Sequence, residues 1–492
     1  MILRYTSLIA LVKGRTVVEI TIYTPFATSR IYTMMKALCY VLLMLTWIFS
    51  GLAQDDFEEC PETERPSVWI DNAPDCQANS TYCDHFGLDY MCTNNITDDT
   101  NACFGGTKVM CLYPPTTPLA APLPATTLKV IAYNVWELKY LVSQIGQRER
   151  TCRIPHELFK QQPDVDVIVF EEMFMGGCIV NVNNSLTARD ILTDYGFVHY
   201  TRTVGDTEAL LPSSRAAVLA KRNTTADNGG VFITSRWPII KEEQMVYENF
   251  DKTTSDALAA KGVMYARIQK TVDGSSKTFN IFGTHMQATE KPDSPGVRVL
   301  QAQEMHNFME QMMIPADEPV LYAGDLNGDL IGKPENALAI IAALNSSMLE
   351  RIGPITVTYD KEDNDNLDPI IDSQSQFLDY VLTSNAHEQP SKATLEIIRP
   401  KSDEAFTVCR KWRFLKFFQY PHSKDCGVTK RVTDLSDHYP VVAILDYSKD
   451  DVTFSMSTSS GNDVTGGTNE VPSSATITIF AALLMIALHV FN

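Results

Sequence analysis

The chain has 492 residues, of which 45% are hydrophobic and 21% are charged. This balance is ordinary for a globular protein and excludes a chain that is disordered throughout. The formal net charge of -19 argues against passive attraction to nucleic acid or anionic lipid, unless a bound divalent cation or a local basic cluster reverses the sign where the substrate lies.

A secretory signal is predicted near the N-terminus. Residues 35–53 combine one lysine, a long apolar stretch and small residues before Gln54, which is the layout of a cleaved signal peptide. We therefore expect the mature chain to begin near Gln54. Residues 1–53 are assigned to an upstream leader and the signal rather than to the fold.

The cysteines indicate disulfide bonds. Of the eleven cysteines, Cys39 lies in the signal, and an even number remains in the mature chain, as expected of a secreted protein. No pair has the CxxC spacing typical of zinc sites. Five glycosylation sequons agree with passage through the secretory pathway; they are at Asn79, Asn95, Asn183, Asn223 and Asn345.

Two segments precede the main domain. Residues 54–112 hold six cysteines and few long apolar runs, so we expect a small module that depends on three disulfides. The sequence does not choose among their connectivities, and it identifies no partner for the module. Residues 113–127, "YPPTTPLAAPLPATT", are rich in proline and predict an extended linker.

Residues 128–447 alternate short apolar strands with helical segments, which predicts one α/β domain. One helix is predicted from Val297 to Met313. Its apolar face is interpreted as core rather than as a binding patch; the face comprises Val297, Leu300, Met305, Phe308, Met309 and Met312.

The C-terminus predicts a lipid anchor. Residues 448–476 form a polar spacer, and residues 477–492 form an apolar tail with no basic residue after it. The tail is short for a spanning helix. Small residues at Gly466, Gly467 and Thr468, followed by a spacer and the tail, favour a GPI-attachment signal. We therefore expect an extracellular protein, either GPI-anchored at the cell surface or secreted.

Polar groups recur at the ends of predicted strands, where loops can gather them. Hard oxygens such as those of Glu172 and Asn134 can hold one Mg2+. One imidazole can remove a proton from water while another donates to a phosphoryl oxygen or a leaving group, and an aspartate fixes the tautomer of the base. The set suits hydrolysis of a phosphodiester; it comprises Asn134, Glu172, His285, Gln287, Asp325, Asn327, Asp379, Asp437 and His438.

Four ordered motifs carry a resemblance to a known family. They are "KGVMYARI" (residues 261–268), "GTHMQA" (283–288), "GDLN" (324–327) and "SDHYPV" (436–441). Over nearly all of residues 128–447 the chain resembles the endonuclease/exonuclease/phosphatase superfamily. Within it, the chain is most similar to the secreted, bacterial-type neutral sphingomyelinases, and the His-x-Gln motif is the discriminating one.

The resemblance implies the fold class α/β (α+β): a four-layer, deoxyribonuclease I-like sandwich of two mainly antiparallel sheets flanked by helices, here preceded by the disulfide-rich module. It implies hydrolysis of sphingomyelin in the outer leaflet to ceramide and phosphocholine. The expected cofactor is Mg2+, with Mn2+ as the alternative ion.

The resemblance also implies roles for individual residues. Glu172 and Asn134 are expected to bind the metal ion. His438 is the expected general base, held in place by Asp325 or Asp437.

The remaining roles concern the phosphate and the substrate. Asp325 and Asn327 are expected to orient water and phosphate, and His285 to act as an acid or phosphate donor. Lys261 and Gln287, which belong to the motifs, are assigned to substrate binding.

One departure lies in "FEEM", where the family more often has an amide residue before the metal-binding glutamate. This chain has Glu171 there. An additional carboxylate can raise the pKa of a neighbour or recruit a second ion, so the number of metal ions stays open.

The segment from Cys409 to Cys426, "CRKWRFLKFFQYPHSKDC", is basic and aromatic in an acidic protein. Its two cysteines could close it into a loop. In the bacterial enzymes a hairpin in the same place carries aromatics that enter lipid, so Trp412 and Phe414 are expected to bind the membrane. The alternative is an ordinary hairpin whose aromatics pack inward.

Two other functions share some of these sequence features. A secreted nuclease of the deoxyribonuclease I type would share fold, metal and histidines, but no arginine-rich groove is visible, and no nucleic-acid partner is expected. A non-catalytic, glycosylated adhesion ectodomain would require a broken catalytic set, and here the set is whole.

Overall fold

A computed structural model of the protein describes residues 7–12, 16–21, 60–70, 76, 78–94, 106–140, 142–179, 185–206, 227–288, 291–368, 374–412 and 426–449. The chain separates into two compact units, Met1–Ser448 and Lys449–Asn492. Strands Ser7–Val12 and Thr16–Thr21 pair as an antiparallel hairpin within the segment assigned to the leader.

Within the described residues, one sheet has six strands. Its neighbouring strands are antiparallel, except that Ser275–His285 and Val320–Asp325 run parallel. In pairing order the strands are Ile239–Val246, Gly262–Val272, Ser275–His285, Val320–Asp325, Asp379–Ser384 and Ser346–Met348.

A second sheet has seven described strands, of which two neighbouring pairs are parallel. The prediction of two mainly antiparallel sheets is therefore confirmed. In pairing order the strands are Glu350–Ile352, Lys392–Ile397, Val441–Asp446, Thr127–Glu137, Val167–Met173, Phe232–Ser235 and His199–Tyr200.

The predicted long helix is present as Ser294–Gln311. It begins with a proline in its first turn, where no backbone donor is lost. Met305, Phe308 and Met309 are buried as predicted, whereas Leu300 is 43% exposed and lies off the core face. The other described helices are Thr81–Phe86, Gln147–Thr151, Ile154–Gln161, Ala188–Asp194, Pro334–Ala343 and the 3-10 turn Ser255–Leu258.

Alternation along the strand Thr127–Glu137 separates two hydrophobic cores, because successive side chains of a strand point to opposite faces. Val130 and Ala132 belong to the core that includes the six-stranded sheet. Ile131 and Tyr133 belong to a second core on the other face. Both faces of this central strand are thus buried, which explains its nearly continuous apolar sequence.

The cysteine-rich segment packs against this second core. It forms a three-stranded sheet of Ser67–Ile70, Lys108–Leu112 and Asp89–Asn94, with disulfides Cys60–Cys92 and Cys83–Cys111. Its Phe86 shares a hydrophobic cluster with Tyr133. No helix or strand lies between Leu112 and Thr127, where the linker is predicted. The division into domains stays a prediction.

A long hairpin of Lys401–Trp412 and Cys426–Asp434 leaves the sandwich. The predicted closure by Cys409 and Cys426 is present as a disulfide, and Cys152 is bonded to Cys178. The side chain of Trp412, residue Phe414 and the C-terminal tail lie outside the described residues. In the part of the chain that the structure describes, no helix combines the length and apolar character needed to cross a membrane.

Candidate active site

The register of the strands brings the predicted residues to one end of the sandwich. His285 and Asp325 are the last residues of two parallel strands and lie directly opposite each other. Asp379 opens the next, antiparallel strand and pairs with Asp325. In the other sheet, Asn134 pairs with Glu171. Because both sheets end here, short loops are sufficient to complete the site.

The best-defined pair in the site is His438 with Asp379. Nδ1 of His438 lies 2.9 Å from Oδ2 of Asp379, and both residues are buried. Burial alone lowers the pKa of His438, but the negative charges of Asp379 and Asp437 raise it well above its ordinary value. Asp325 or Asp437 is the residue expected in this orienting role, whereas in the structure the hydrogen bond is made by Asp379.

Asp437 lies beside this pair without bonding to the imidazole in the described contacts. Its Oδ1 accepts a hydrogen bond from the Ser436 hydroxyl at 3.3 Å. Burial raises the pKa of Asp437, while the charges of His438 and Arg150 lower it. Asp437 therefore adds negative charge near His438 and is not its hydrogen-bond partner.

Asp325 connects the two sheets. Its Oδ2 accepts from Nδ2 of Asn134 at 3.1 Å, and its Oδ1 accepts from the backbone of Asn327 at 2.9 Å. Burial, followed by the charge of Asp379, raises the pKa of Asp325 to about 6. The structure thus brings Asn134, Asp325 and Asn327 together, as their strand-end positions predict.

The surroundings of His285 favour its neutral form. Burial, and then the positive charge of Lys261, lower its pKa well below the ordinary value. Nζ of Lys261 lies 3.0 Å from Nε2 of His285, so the ammonium group donates and the imidazole accepts. Nδ1 of His285 has no hydrogen-bond partner among the described residues.

Lys261 is fully occupied by protein groups. Besides His285 it contacts Oδ2 of Asp256 at 2.9 Å and donates to the carbonyl oxygen of Met286 at 2.9 Å. An ammonium group has three protons, and each has an acceptor. Lys261 therefore supports His285, and its direct contact with substrate stays a prediction.

Gln287 is similarly engaged. Its Oε1 accepts from the backbone of Asp251, and its Nε2 lies 3.0 Å from Oδ2 of Asp256 and 3.1 Å from the hydroxyl of Thr254. It is buried and braces the loop that holds Asp256 beside Lys261. The predicted role of Gln287 in substrate binding remains untested.

The two adjacent glutamates differ in environment. Glu172 is partly exposed, with 15% of its side chain accessible, and its Oε1 lies 3.9 Å from Nε2 of His285. Burial, followed by the charge of Asp437, raises the pKa of Glu172 to about 7. Glu171 is completely buried, and burial together with Asp379 raises its pKa well above the ordinary value.

Three residues at or just after the ends of site strands are non-glycine residues in the left-handed region. These residues are Trp136 (φ 52°), Glu172 (φ 57°) and Asn327 (φ 51°). Such a conformation costs about 1–2 kcal/mol for a residue with a Cβ. Backbone strain of this kind persists where the surrounding structure fixes it, and it is concentrated at functional sites.

Two places in the site offer ligand atoms for a cation. Oxygens of Asp325 and Asp379 and a nitrogen of His438 lie within 4.8 Å of one another. The members of this group already bond to protein groups, through the His438–Asp379 hydrogen bond and the two bonds to Asp325. Oε2 of Glu172 and both carboxylate oxygens of Glu171 are instead buried with no hydrogen-bond partner among the described residues; of the two side chains, that of Glu172 is the partly exposed one.

Comparison with known proteins shows which proteins this chain is similar to. No protein-family model matches the chain. It is 29% identical over 343 residues to a sphingomyelinase C of Bacillus cereus, covering 65% of this chain and 89% of the relative. It is also 29% identical over 330 residues to sphingomyelinase C 2 of Leptospira interrogans, covering 64% of this chain and 45% of that longer relative.

The chain is similar to the sphingomyelinases C. Two solved structures extend this similarity to the fold: a mutant beta toxin from Staphylococcus aureus with bound magnesium ions and sphingomyelinase C from Streptomyces griseocarneus. Each has a TM-score of 0.51 and 25% identity, and each match covers 65% of this chain and 99% of the other. The resemblance to sphingomyelinases that the motifs predict is confirmed.

Asp379 is the site residue whose role the sequence reasoning missed. It is among the strand-end groups, but nothing in "LDYV" indicates that its strand runs antiparallel to Val320–Asp325 in the register that directs it to His438. The contact of Lys261 with His285 also depends on pairing between strands. In the sequence, the one indication of a role for Asp379 and Lys261 is that each lies at the end of a predicted strand.

Proposed function

We propose that this protein is a sphingomyelin phosphodiesterase that hydrolyses sphingomyelin to ceramide and phosphocholine. One observation carries the proposal: two histidines, His285 and His438, lie around Asp325 at one end of the sandwich, beside a glutamate with an unpartnered oxygen. Groups placed in this way can carry out the proton transfers that hydrolysis of a phosphodiester requires. The similarity to sphingomyelinases C supports sphingomyelin as the substrate.

The residues fit a divalent cation at Glu172, with Asn134 as a further ligand. The buried, unpartnered Oε2 of Glu172 is a hard oxygen, and burial together with the negative charge of Asp437 raises the pKa of this carboxyl group. A bound Mg2+ would polarise a non-bridging phosphate oxygen and offset the negative charge that raises the pKa of His438. Mn2+ accepts the same oxygen ligands.

His438 is assigned the role of general base. Its Nδ1 is bonded to Asp379, so Nε2 is the nitrogen that removes a proton from water. Asp379 fixes the ring orientation and stabilises the imidazolium that forms. Asn327 and Asp325 would orient the water and the phosphate.

His285 and Lys261 are proposed to lie on the side of the site that receives the phosphate group of the substrate. The neutral imidazole and the ammonium group in contact with it form the positive side of the site. His285 is the proposed donor to a phosphoryl oxygen or to the leaving ceramide oxygen, and Lys261 holds its ring for this step. Asp256 holds Lys261 in position for this step.

The membrane is the proposed location of the substrate. The hairpin closed by Cys409 and Cys426 supports a lipid-binding role for the aromatic loop between them, including Trp412 and Phe414. The polar spacer and apolar tail support a GPI anchor that holds the protein at the outer cell surface. The described disulfides support an oxidising, extracellular environment.

A substrate panel tests the proposal. Purified full-length protein is incubated with Mg2+, or with EDTA, and separately with sphingomyelin, phosphatidylcholine, lysophosphatidylcholine and plasmid DNA. We expect phosphocholine release from sphingomyelin only in the presence of the metal. Cleavage of the plasmid with no lipid turnover would favour the nuclease, and no turnover of any substrate would favour the adhesion function.

A further inference from the structure

A short helix, Gln147–Thr151, lies against the loops of the candidate site; we call it the junction helix. Its Arg150 is completely buried. The guanidinium group donates to the carbonyl oxygens of Val135 at 3.0 Å and Trp136 at 2.6 Å. It also donates to the carbonyl oxygen of Leu435 at 2.7 Å. One side chain therefore bridges two separate segments of the site, the end of the strand Thr127–Glu137 and the loop that follows Asp434.

These segments carry the main predicted groups of the site. Val135 follows Asn134, a predicted metal ligand, and Leu435 begins the segment that leads to His438. A hydrogen bond of 2.6 Å from the Ser436 hydroxyl to the carbonyl oxygen of Asn134 joins the same segments. Because a guanidinium group is a rigid, planar fork, Arg150 fixes the separation between the segment of the metal ligand and the segment of the base.

The other face of the junction helix contacts the cysteine-rich module. Oε1 of Glu149 lies 3.2 Å from Nε2 of His85. Arg153, just beyond the helix, donates to the carbonyl oxygens of Asp84 at 2.9 Å and His85 at 3.1 Å. These carbonyls belong to the last turn of the module helix Thr81–Phe86, where a cation is favourable.

Arg153 also contacts the hairpin that leaves the sandwich. Its guanidinium carbon lies 4.0 Å from the ring centre of Phe406. A cleft of about 610 Å³ is lined in part by His85, Arg153 and Phe406.

We propose that Arg150 is a positioning residue for the phosphodiester reaction, and that the cysteine-rich module acts through Arg153 to hold the junction helix in place. This inference rests on the proposed function. It assigns the module a structural effect on turnover, in addition to any partner that the module binds. A displacement of reacting groups by about 1 Å can reduce turnover by about 10²-fold.

The test uses the full-length protein and a soluble, short-chain sphingomyelin analogue. Arg150→Lys keeps the charge but cannot bridge three carbonyl oxygens in one plane, so we expect kcat to fall about 10²-fold, with KM changed less than threefold. Arg153→Met keeps an apolar side chain on Phe406 but donates no hydrogen bond to the module. We expect its kcat to fall by about tenfold, with partial recovery in Arg153→Lys.

Lys277→Met is the matched control. Lys277 also combines an ion pair, at 2.7 Å to Glu388, with a ring contact, at 5.3 Å to Tyr447. It lies near the opposite end of the strand that finishes at His285. We expect kcat of this variant to equal that of the wild type.

Hydrogen exchange provides a measurement that does not depend on activity. In Arg153→Met we expect faster amide exchange in peptides covering residues 134–137 and 434–438, and unchanged exchange there in Lys277→Met. Unchanged exchange in both segments, or a kcat of Arg153→Met within twofold of wild type, would overturn the inference even if Arg150→Lys fails to fold. A wild type that turns over no sphingomyelin would instead refute the proposed function, and exchange would still decide this inference.

Discussion

Asp379 accepts a hydrogen bond from Nδ1 of His438 at 2.9 Å, although 59 residues separate them in the chain. The bond joins the first residue of a strand in the six-stranded sheet to the segment that enters the seven-stranded sheet. A base formed in this way depends on the packing of the two sheets against each other. Its strength and orientation are therefore properties of the whole sandwich.

His438→Ala should abolish hydrolysis while the protein remains folded, because it removes the base. General-base loss costs about 10²–10⁴ in rate. The measurement is kcat on sphingomyelin, with the melting temperature as the control for folding. A rate within tenfold of the wild type would show that another group takes the proton.

Asp379→Asn should reduce kcat by about 10²–10⁴, because an amide can stabilise the wrong tautomer of His438. Asp437→Asn is the matched control, since Asp437 makes no described hydrogen bond to the imidazole. We expect a clearly smaller loss in that variant. The reverse order of the two losses would return the orienting role to Asp437.

Glu172→Gln should raise the Mg2+ concentration needed for half-maximal activity much more than Glu171→Gln does. Oε1 of Glu172 lies 3.9 Å from Nε2 of His285 and its side chain is partly exposed to the site, whereas Glu171 is completely buried and its pKa is raised well above the ordinary value. A titration of activity with Mg2+ compares the two variants. A larger shift for Glu171→Gln would identify it as the metal-binding carboxylate.

In the metal-free protein, the pH dependence of stability should reveal the raised pKa of Glu172. Burial and the charge of Asp437 raise its pKa from 4.5 to about 7, so between these values the folded state keeps a proton that the unfolded chain releases. The free energy of unfolding contributed by this group therefore decreases as pH rises from about 4.5 to about 7. Thermal melts in EDTA should show a shallower pH dependence for Glu172→Gln than for the wild type. Parallel curves would contradict the assignment.

Replacement of Trp412 and Phe414 by alanine should reduce activity on liposomes by tenfold or more. Each replacement would weaken the free energy of membrane binding by roughly 1.5–3 kcal/mol if the aromatic side chain is fully buried in lipid. Turnover of a soluble, short-chain analogue should barely change, because the metal and histidines are untouched. Equal losses on both substrates, with a lower melting temperature, would indicate that these aromatics pack within the protein.

The sequence predicts much of this structure because its signals are local. Alternating apolar strands, the helix around Met305 and the disulfide between Cys409 and Cys426 can be read from neighbouring residues. The exposed position of Leu300 could not be, since it depends on which face of the helix meets the sheet. The bridge from Arg150 to Leu435 also joins residues far apart in sequence, so no local pattern indicates it.

Isotope labelling of the products tests the central claim most directly. Full-length protein hydrolyses sphingomyelin in water enriched in oxygen-18, with Mg2+ and with His438→Ala as the control, and the products are analysed by mass spectrometry. If water activated by His438 attacks phosphorus, the label appears in phosphocholine, ceramide leaves with its own oxygen, and the variant forms neither product. Label-free phosphocholine, or release of choline with ceramide phosphate, would contradict the account.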